Sequence, residues 1–450
     1  MVIILWIYLG ALLAYGIYWG RKGRDYVSFV IGGQRQSGVI TFLSLMATMI
    51  GGSATFGIAA TGYTLGFPVF WWLGVGVIGL FLQSFFVSSS VRELGARTLA
   101  EIGGKTVGEH AARLISVIIA VSWIGIIAGQ FVALAQIFSF ITGSVHNVPL
   151  IIAAAATVVL FTAAGGQISV MRTDSVYFFF ILFGVAAAFF CLFFGGDTGK
   201  PFILSEQVQW FNDGFGGKDL LSLLFIVGGA YFIGPDVLSR SMAAKNGKTA
   251  KRASLSAAFI LLFFNLLIVA VILWTKLNVA DLKGLNPLIY LMKYPLPRPV
   301  ALLLALGLIS ALLSSASTCL ITAAATIQND ILRRENIIGI RLLTVLIGSF
   351  AMFIALKNSD IITILTGAYS IYAPGLVFPL FLAIRIGNRR RIREPVWLAA
   401  VAVGGACGIL DKFISVPFLP LIGMALSLLI TALSVNRSTD GIRGTDGKTK

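Results

Sequence analysis

A chain of 450 residues that is 58% hydrophobic and 12% charged, with a mean hydropathy of +0.93, lies outside the balance of a soluble globular protein. Its net charge of +16 would suit a nucleic-acid binder, but runs such as RIGNRRRIR sit between apolar stretches, where anionic lipid and membrane orientation account for them. Cys191, Cys319 and Cys407 all fall inside apolar runs and offer neither a disulfide framework nor zinc spacing, so they are expected to pack the core.

Thirteen apolar runs near the ~20 residues that cross a bilayer predict an all-α integral membrane protein with about 13 transmembrane helices. They cover approximately 2–20, 38–61, 68–90, 109–142, 148–165, 173–195, 219–242, 253–275, 299–328, 338–356, 360–385, 395–410 and 417–435. The first run has no basic residue before it and RKGR after it, the wrong polarity for a cleaved signal peptide, so it is expected to remain as a span with the N-terminus outside. In that orientation the cytoplasmic loops hold 26 of the 34 Lys and Arg residues, the asymmetry expected of the cytoplasmic side of a plasma or inner membrane. This count places Arg240 in a loop and no arginine at mid-span depth.

The longest polar stretches, GDTGKPFILSEQVQWFNDGFGGKD and KLNVADLKGLNPLIYLMKYPLPRP, are expected outside, the second with a short helix around NPLIYLMK. The segment 436–450 reads as a disordered cytoplasmic tail. Function must therefore lie inside the bundle.

Two spans are interrupted. Span 2, FLSLMATMIGGSATFGIAATGY, carries glycines and a serine at its middle, and span 7 carries Gly228, Gly229, Gly234 and Pro235, which do not sustain a regular helix. The two are five spans apart and so cross in opposite directions. Two five-helix units, 38–195 and 219–385, would then form an inverted repeat led by broken helices, with one extra helix at 1–20 and two at 395–435. That pattern points to a transporter site near the midplane. Close packing of small residues is the alternative.

In span 9, ALLSSAST places Ala311, Ser314, Ser315 and Thr318 on one helical face, with Ser317 off it. A hydroxyl stripe beside unwound backbone offers oxygens to a hard cation such as Na⁺. Equally, each hydroxyl could bond the carbonyl four residues back or a neighbouring helix.

These residues resemble the sodium:solute symporter family, whose members adopt the leucine-transporter fold with its 5+5 inverted repeat. The similarity spans nearly the whole chain. SLMATMIGG is similar to the family's first broken core helix, GGQISVMRTD to its GG…AV.WTD segment, SRSMAAKN to its QR.LAAK segment, and SALLSSASTCLITAAATIQNDI to its sodium-site helix. The resemblance implies sodium-coupled symport of a small organic solute, with Na⁺ held by backbone oxygens of Ala47, Ile50 and Ala311 and the hydroxyls of Ser314 and Ser315. Met49 stands where some members carry a polar or acidic residue, and Arg172 replaces the tryptophan of WTD. Asp174 matches an aspartate that, in part of the family, contributes to a second sodium site or its exit path. Read alone, Thr173 and Asp174 would cap the start of span 6, and Asp330 would close span 9 near Arg333 and Arg334.

Candidate solute contacts line the breaks: Gly51, Gly52, Ser53 and Thr55, Gln130, Gly229, Tyr231 and Asp236, and Tyr369 and Tyr372. Nothing in the sequence selects the solute. An enzyme is disfavoured, since no metal cluster or nucleophile with its base is visible. A proton-coupled transporter and a nutrient receptor on a transporter scaffold are the alternatives.

Overall fold

The computed structural model describes all residues except 1, 24, 145–146, 196–207, 359, 388–389, 412, 415, 417 and 436–450. The expected tail, Arg389 and part of the first long polar stretch lie outside the described residues. Those described form helices with short connections and no strand.

In chain order the helices are α1 (Val2–Lys22), α2 (Tyr26–Ile31), α3 (Gly38–Met49), α4 (Ile58–Leu65), α5 (Phe70–Phe86), α6 (Ser88–Glu93), α7 (Leu99–Thr106), α8 (Glu109–Thr142) and α9 (Asn147–Phe194). They continue with α10 (Gly217–Leu223), α11 (Gly229–Phe232), α12 (Pro235–Ala243), α13 (Gly247–Asn278), α14 (Pro287–Lys293), α15 (Arg298–Thr326), α16 (Ile337–Lys357), α17 (Ile361–Ile386), α18 (Glu394–Leu410) and α19 (Leu419–Ser434). Helix starts follow local capping chemistry. The side chains of Ser37, Thr98, Asn246 and Asn336 accept from backbone N–H groups two or three residues on, at the entrances to α3, α7, α13 and α16. The expected short helix around NPLIYLMK is α14.

Nine described helices are long and apolar enough to cross a membrane, ten when α3 and α4, bent by 52°, count as one span. The expected thirteen is reached when α9 is counted twice and the shorter α18 and α19 are included. α9 has 48 residues, too long for one crossing. Its chain reverses at Gly166, the one interior residue with non-helical angles (φ 62°, ψ −169°). The neighbours demonstrate the reversal. A Cβ on Gly16 of α1 would meet Phe161 before the turn and Ser169 after it, while one on Gly20 would meet Gly165 at the turn itself. Both arms therefore run back along α1.

The core is centred on α15, whose residues from Leu304 to Ile321 are buried throughout. It packs against α9 and α8, with α3 and α12 close by. α1 and α16 expose most of their apolar side chains, as lipid-facing helices do.

Gly166 sits at angles accessible only to glycine, and a Cβ there would lie 2.6 Å from the Phe29 ring. Gly166→Ala is expected to cost about 1–3 kcal/mol, read as a lower melting temperature of the detergent-solubilised protein. Gly10→Ala, with nothing within 4 Å of its Cβ, should leave it unchanged or raise it.

Candidate functional site

The first break lies between α3 and α4. α3 ends at Ile50, whose angles (φ −96°, ψ 76°) leave the helix, and a π-helical turn over Ser53–Gly57 resumes it. The glycines are there because neighbours come close. A Cβ on Gly51 would fall 2.5 Å from Ser315 Oγ, and one on Gly52 would fall 3.0 Å from Gln130 Oε1. The last carbonyls of a helix have no partner within it, and at membrane depth water does not supply one. Side chains do so instead: Ser315 Oγ donates to the carbonyl of Thr48 at 2.9 Å and Tyr231 OH to that of Met49 at 3.3 Å. After the break, Thr55 Oγ1 donates to the carbonyl of Gly51 and Gln130 Oε1 accepts from Gly52 N–H, both at 2.8 Å.

The second break separates α11 from α12. Ile233 (φ −132°, ψ 41°) and Gly234 (φ −83°, ψ 138°) leave the helix and Pro235 restarts it as the first residue of α12. Tyr372 OH donates to the carbonyl of Ile233. Tyr231 occupies space left by glycines of α5: a Cβ on Gly76 would meet its ring at 2.9 Å, and one on Gly79 its Cβ at 2.9 Å. Sequence reasoning did not find this glycine face. Gly76 and Gly79 were part of an apolar span, and only their spacing of three hinted at a closely approached surface.

The hydroxyl stripe of α15 meets a buried ion pair. Arg240 and Asp174 are both fully buried, with Nη2 3.0 Å from Oδ2. Ser314 Oγ donates to Asp174 Oδ1 at 2.6 Å and Ser44 Oγ to Oδ2 at 2.5 Å. Arg240 Nε donates to Ser44 Oγ at 3.0 Å, Nη1 to Ser239 Oγ at 3.1 Å, and Nη2 also to Thr318 Oγ1. Four elements, α3, α9, α12 and α15, thus join through one carboxylate and one guanidinium.

Two expectations are corrected here, those for Arg240 and Asp174, while Asp330 stands in the last turn of span 9 as expected. Arg240 is a core residue, because the helix after the second break carries it inward and Asp174 offsets its charge. Asp174 lies well inside the second arm of α9 and caps no helix end. Asp330, 6% exposed, accepts from Thr98 Oγ1 at 2.6 Å and Asn329 Nδ2 at 2.9 Å, while Arg97 pairs with Glu335 at 2.5 Å and Arg333 with Glu109 at 2.6 Å.

Between the two breaks lies a small cavity of about 30 Å³, lined among others by Gly51, Ser53, Gln130, Tyr231, Asp236, Ser315 and Tyr369. It has room for about two waters and not for an organic solute. Of the expected contacts, Gly52, Thr55, Gly229 and Tyr372 lie outside its lining. Thr55 and Tyr372 tie down backbone, Gly229 faces Val377 of α17, and Tyr372 stacks edge-on against Trp123 at 4.8 Å. At one end of the bundle a vestibule of about 710 Å³ is lined by Phe56, Gln136, Asn286, Lys293 and Asp360, among others. Ser53 and Phe56 share one π-helical turn, so a single turn of backbone separates vestibule from cavity. At the opposite, basic end a space of about 420 Å³ is crossed by the Arg97–Glu335 and Arg333–Glu109 pairs.

Removing one member of a buried ion pair strands the other. Arg240→Met or Asp174→Asn alone is expected to cost ~3–5 kcal/mol, seen as a large fall in melting temperature. The double variant should be more stable than the Arg240→Met single; a double variant that loses the sum of both would refute mutual compensation.

The sodium:solute symporter family model matches residues 29–388. No curated protein sequence matches the chain significantly. Among solved structures, a Na⁺-coupled sialic acid symporter in a substrate-bound outward-open state superposes with a TM-score of 0.81 at 17% identity, covering 97% of this chain and 99% of that one. Mhp1, a nucleobase-cation-symport-1 family transporter in a closed conformation with bromovinylhydantoin bound, gives 0.66 at 16% identity over 89% and 92%. MhsT in complex with L-phenylalanine gives 0.54 at 14% over 89% and 99%. The fold is that of the leucine transporters, and with the family model covering most of its length the chain belongs to the sodium:solute symporter family, as a membrane transporter that couples Na⁺ to a small solute.

Proposed function

We propose that Na⁺ binds where α15 meets the first break, held by the backbone oxygens of Ala47, Ile50 and Ala311 and the hydroxyls of Ser314 and Ser315. The observation that carries this reading is where the two hydroxyl protons go. Ser315 donates its proton to the carbonyl of Thr48 and Ser314 to Asp174. A hydroxyl that has given away its proton still has lone pairs for a cation, so both oxygens are preset as ligands. Asp174 then orients Ser314 and lies on the ion's exit path, while a second sodium ion at Asp174 would have to displace Arg240. The solute occupies the cavity formed by Gly51, Ser53, Gln130, Tyr231 and Tyr369 once it has opened; Gly52, Thr55, Gly229 and Tyr372 shape its backbone walls.

The working units are the two repeats, 38–195 and 219–385, rocking about the breaks, with 1–20 and 395–435 as supporting helices. The protein lies in the plasma or inner membrane with its N-terminus outside and its basic loops in the cytoplasm. A potential of 100 mV contributes roughly 2.3 kcal/mol per ion and a tenfold Na⁺ gradient about 1.4 more. One ion then sustains roughly a several-hundred-fold solute gradient, provided it binds the outward and inward states unequally.

Replacing both Ser314 and Ser315 with Ala is expected to raise the Na⁺ concentration for half-maximal uptake tenfold or more. Ser317→Ala, whose hydroxyl takes no part in the hub or the break, should leave it nearly unchanged. A stable double variant with wild-type sodium dependence sinks the site. Tyr231→Ala should weaken solute binding much more than Na⁺ binding measured without solute; equal loss of both would count against a solute contact. For orientation, cysteines introduced at Lys248 and Asp281, both exposed and at opposite ends of α13, should react with an impermeant reagent from opposite sides, Asp281 from outside. Labelling of both from outside would overturn the topology.

A further inference from the structure

The central cluster does not balance its charges. Arg240 is matched by Asp174 at 3.0 Å. Asp236, one turn before Arg240 on α12, lines the central cavity and has no Lys, Arg or His within ion-pair distance among the described residues. No basic side chain appears anywhere in that lining; its remaining members are hydroxyl-bearing, amide or apolar. The carboxylate gains something from its place in the first turn of α12, but the helix dipole contributes only ~0.3–2 kcal/mol. Asp236 is partly exposed, so only part of the several kcal/mol that taking a carboxylate out of water costs applies to it. An acid held at membrane depth with that deficit is a site for an exchangeable cation.

We propose that Asp236 is the counter-ion for a basic nitrogen on the transported solute, so that the substrate is an ammonium-bearing molecule, either a zwitterionic amino acid or a simple amine. This rests on the cavity being the solute site. The lining distinguishes the solute's nitrogen from the coupling ion. Tyr231 and Tyr369 stand beside Asp236, and aromatic faces attract organic ammonium groups, while Ile126, Ala230, Val237 and Cys319 give the wall an apolar character that suits the carbon skeleton. Of the hydroxyls preset for Na⁺, Ser315 borders this lining on the side of the α3 break, while Ser314 lies outside it and donates to Asp174. The cavity of about 30 Å³ is large enough for an ammonium head before the rest of the solute is accommodated.

The test is a thermal-shift and proteoliposome-uptake panel on the full chain, in Na⁺ and then in K⁺. It contains L-α-amino acids, primary amines and quaternary ammonium compounds, each paired with the neutral or carboxylate analogue that lacks the nitrogen, together with neutral sugars. The expected result is Na⁺-dependent stabilisation and uptake confined to nitrogen-bearing members. Comparing amino acids with simple amines tells a zwitterion from a cation. Asp236→Asn should weaken that binding at least tenfold while Na⁺ alone still stabilises the protein, and Asp236→Glu should recover part of the loss. The wild-type panel decides the matter even if the Asn variant fails to fold. Equal Na⁺-dependent uptake of a sugar or a nitrogen-free analogue, or no nitrogen-bearing hit, overturns the inference and leaves sodium symport standing. Loss of solute-free Na⁺ stabilisation in Asp236→Asn assigns the carboxylate to the ion and also overturns it. Uptake driven by a proton gradient without any Na⁺ requirement would instead remove the sodium-symport reading itself.

Discussion

Two membrane-spanning helices in this protein are interrupted at a depth where water cannot satisfy the backbone, and the rest of the architecture follows from how those interruptions are accommodated. An unpaired carbonyl in the hydrocarbon region costs several kcal/mol, so each break must be surrounded by donors. Ser315, Tyr231 and Tyr372 supply them to Thr48, Met49 and Ile233, and Gln130 accepts from Gly52. For those side chains to arrive, the helices bearing them must come very close. That requirement explains the glycines at 51 and 52 against α15 and α8, and those at 76 and 79 against Tyr231. Backbone released from its own helix and partly bonded to side chains is also the material from which an ion and solute site can be built.

Charge is distributed by depth in a way that matches the mechanical demands of a transporter. Deep in the bundle, Arg240 and Asp174 form a pair with every contact supplied by neighbouring hydroxyls, and separating them would be expensive. Its cross-links from α12 to α9, α3 and α15 hold that region as one body. At the basic end the pairs that bridge the space between α7–α8 and the segment after α15 are partly exposed: Glu109 and Arg333 retain 49% and 50% of their side-chain accessibility. Exposed pairs contribute about 0–1 kcal/mol each, weak enough to open and re-form in each cycle. At the other end, Asn286 of α14 donates to the carbonyl of Phe56 at 3.1 Å, so the vestibule is joined to the first break by an equally light contact. Strong links hold the centre, and weak ones close the ends.

Read from the chain alone, the membrane class, the order of the apolar spans, the two broken helices and the hydroxyl face on span 9 were all legible. Each rests on a local property: hydropathy over about 20 residues, glycine and proline inside an apolar run, or serine spacing at the helical period. The reversal of α9 at Gly166 was also visible, as a gap between two predicted spans. Less legible were features that depend on what lies opposite. Arg240 looked like one more cytoplasmic basic residue, because nothing within its own segment announces that Asp174, 66 positions earlier, is its partner. Asp174 looked like a helix cap because it stands near an expected span start.

The sequence by itself determined that this is a many-helix membrane protein with discontinuous helices and a sodium-symporter pattern, because insertion into a bilayer depends on short-range hydropathy and breakage on single residues. Tertiary structure decided which carbonyls at the breaks are covered and by whom, which tyrosines face the cavity and which only tie down backbone, and which of the two carboxylates near Arg240 pairs with it. Those outcomes depend on side chains brought together from positions tens to hundreds of residues apart, such as Ser315 with Thr48 and Arg240 with Asp174, and no local pattern encodes such distances.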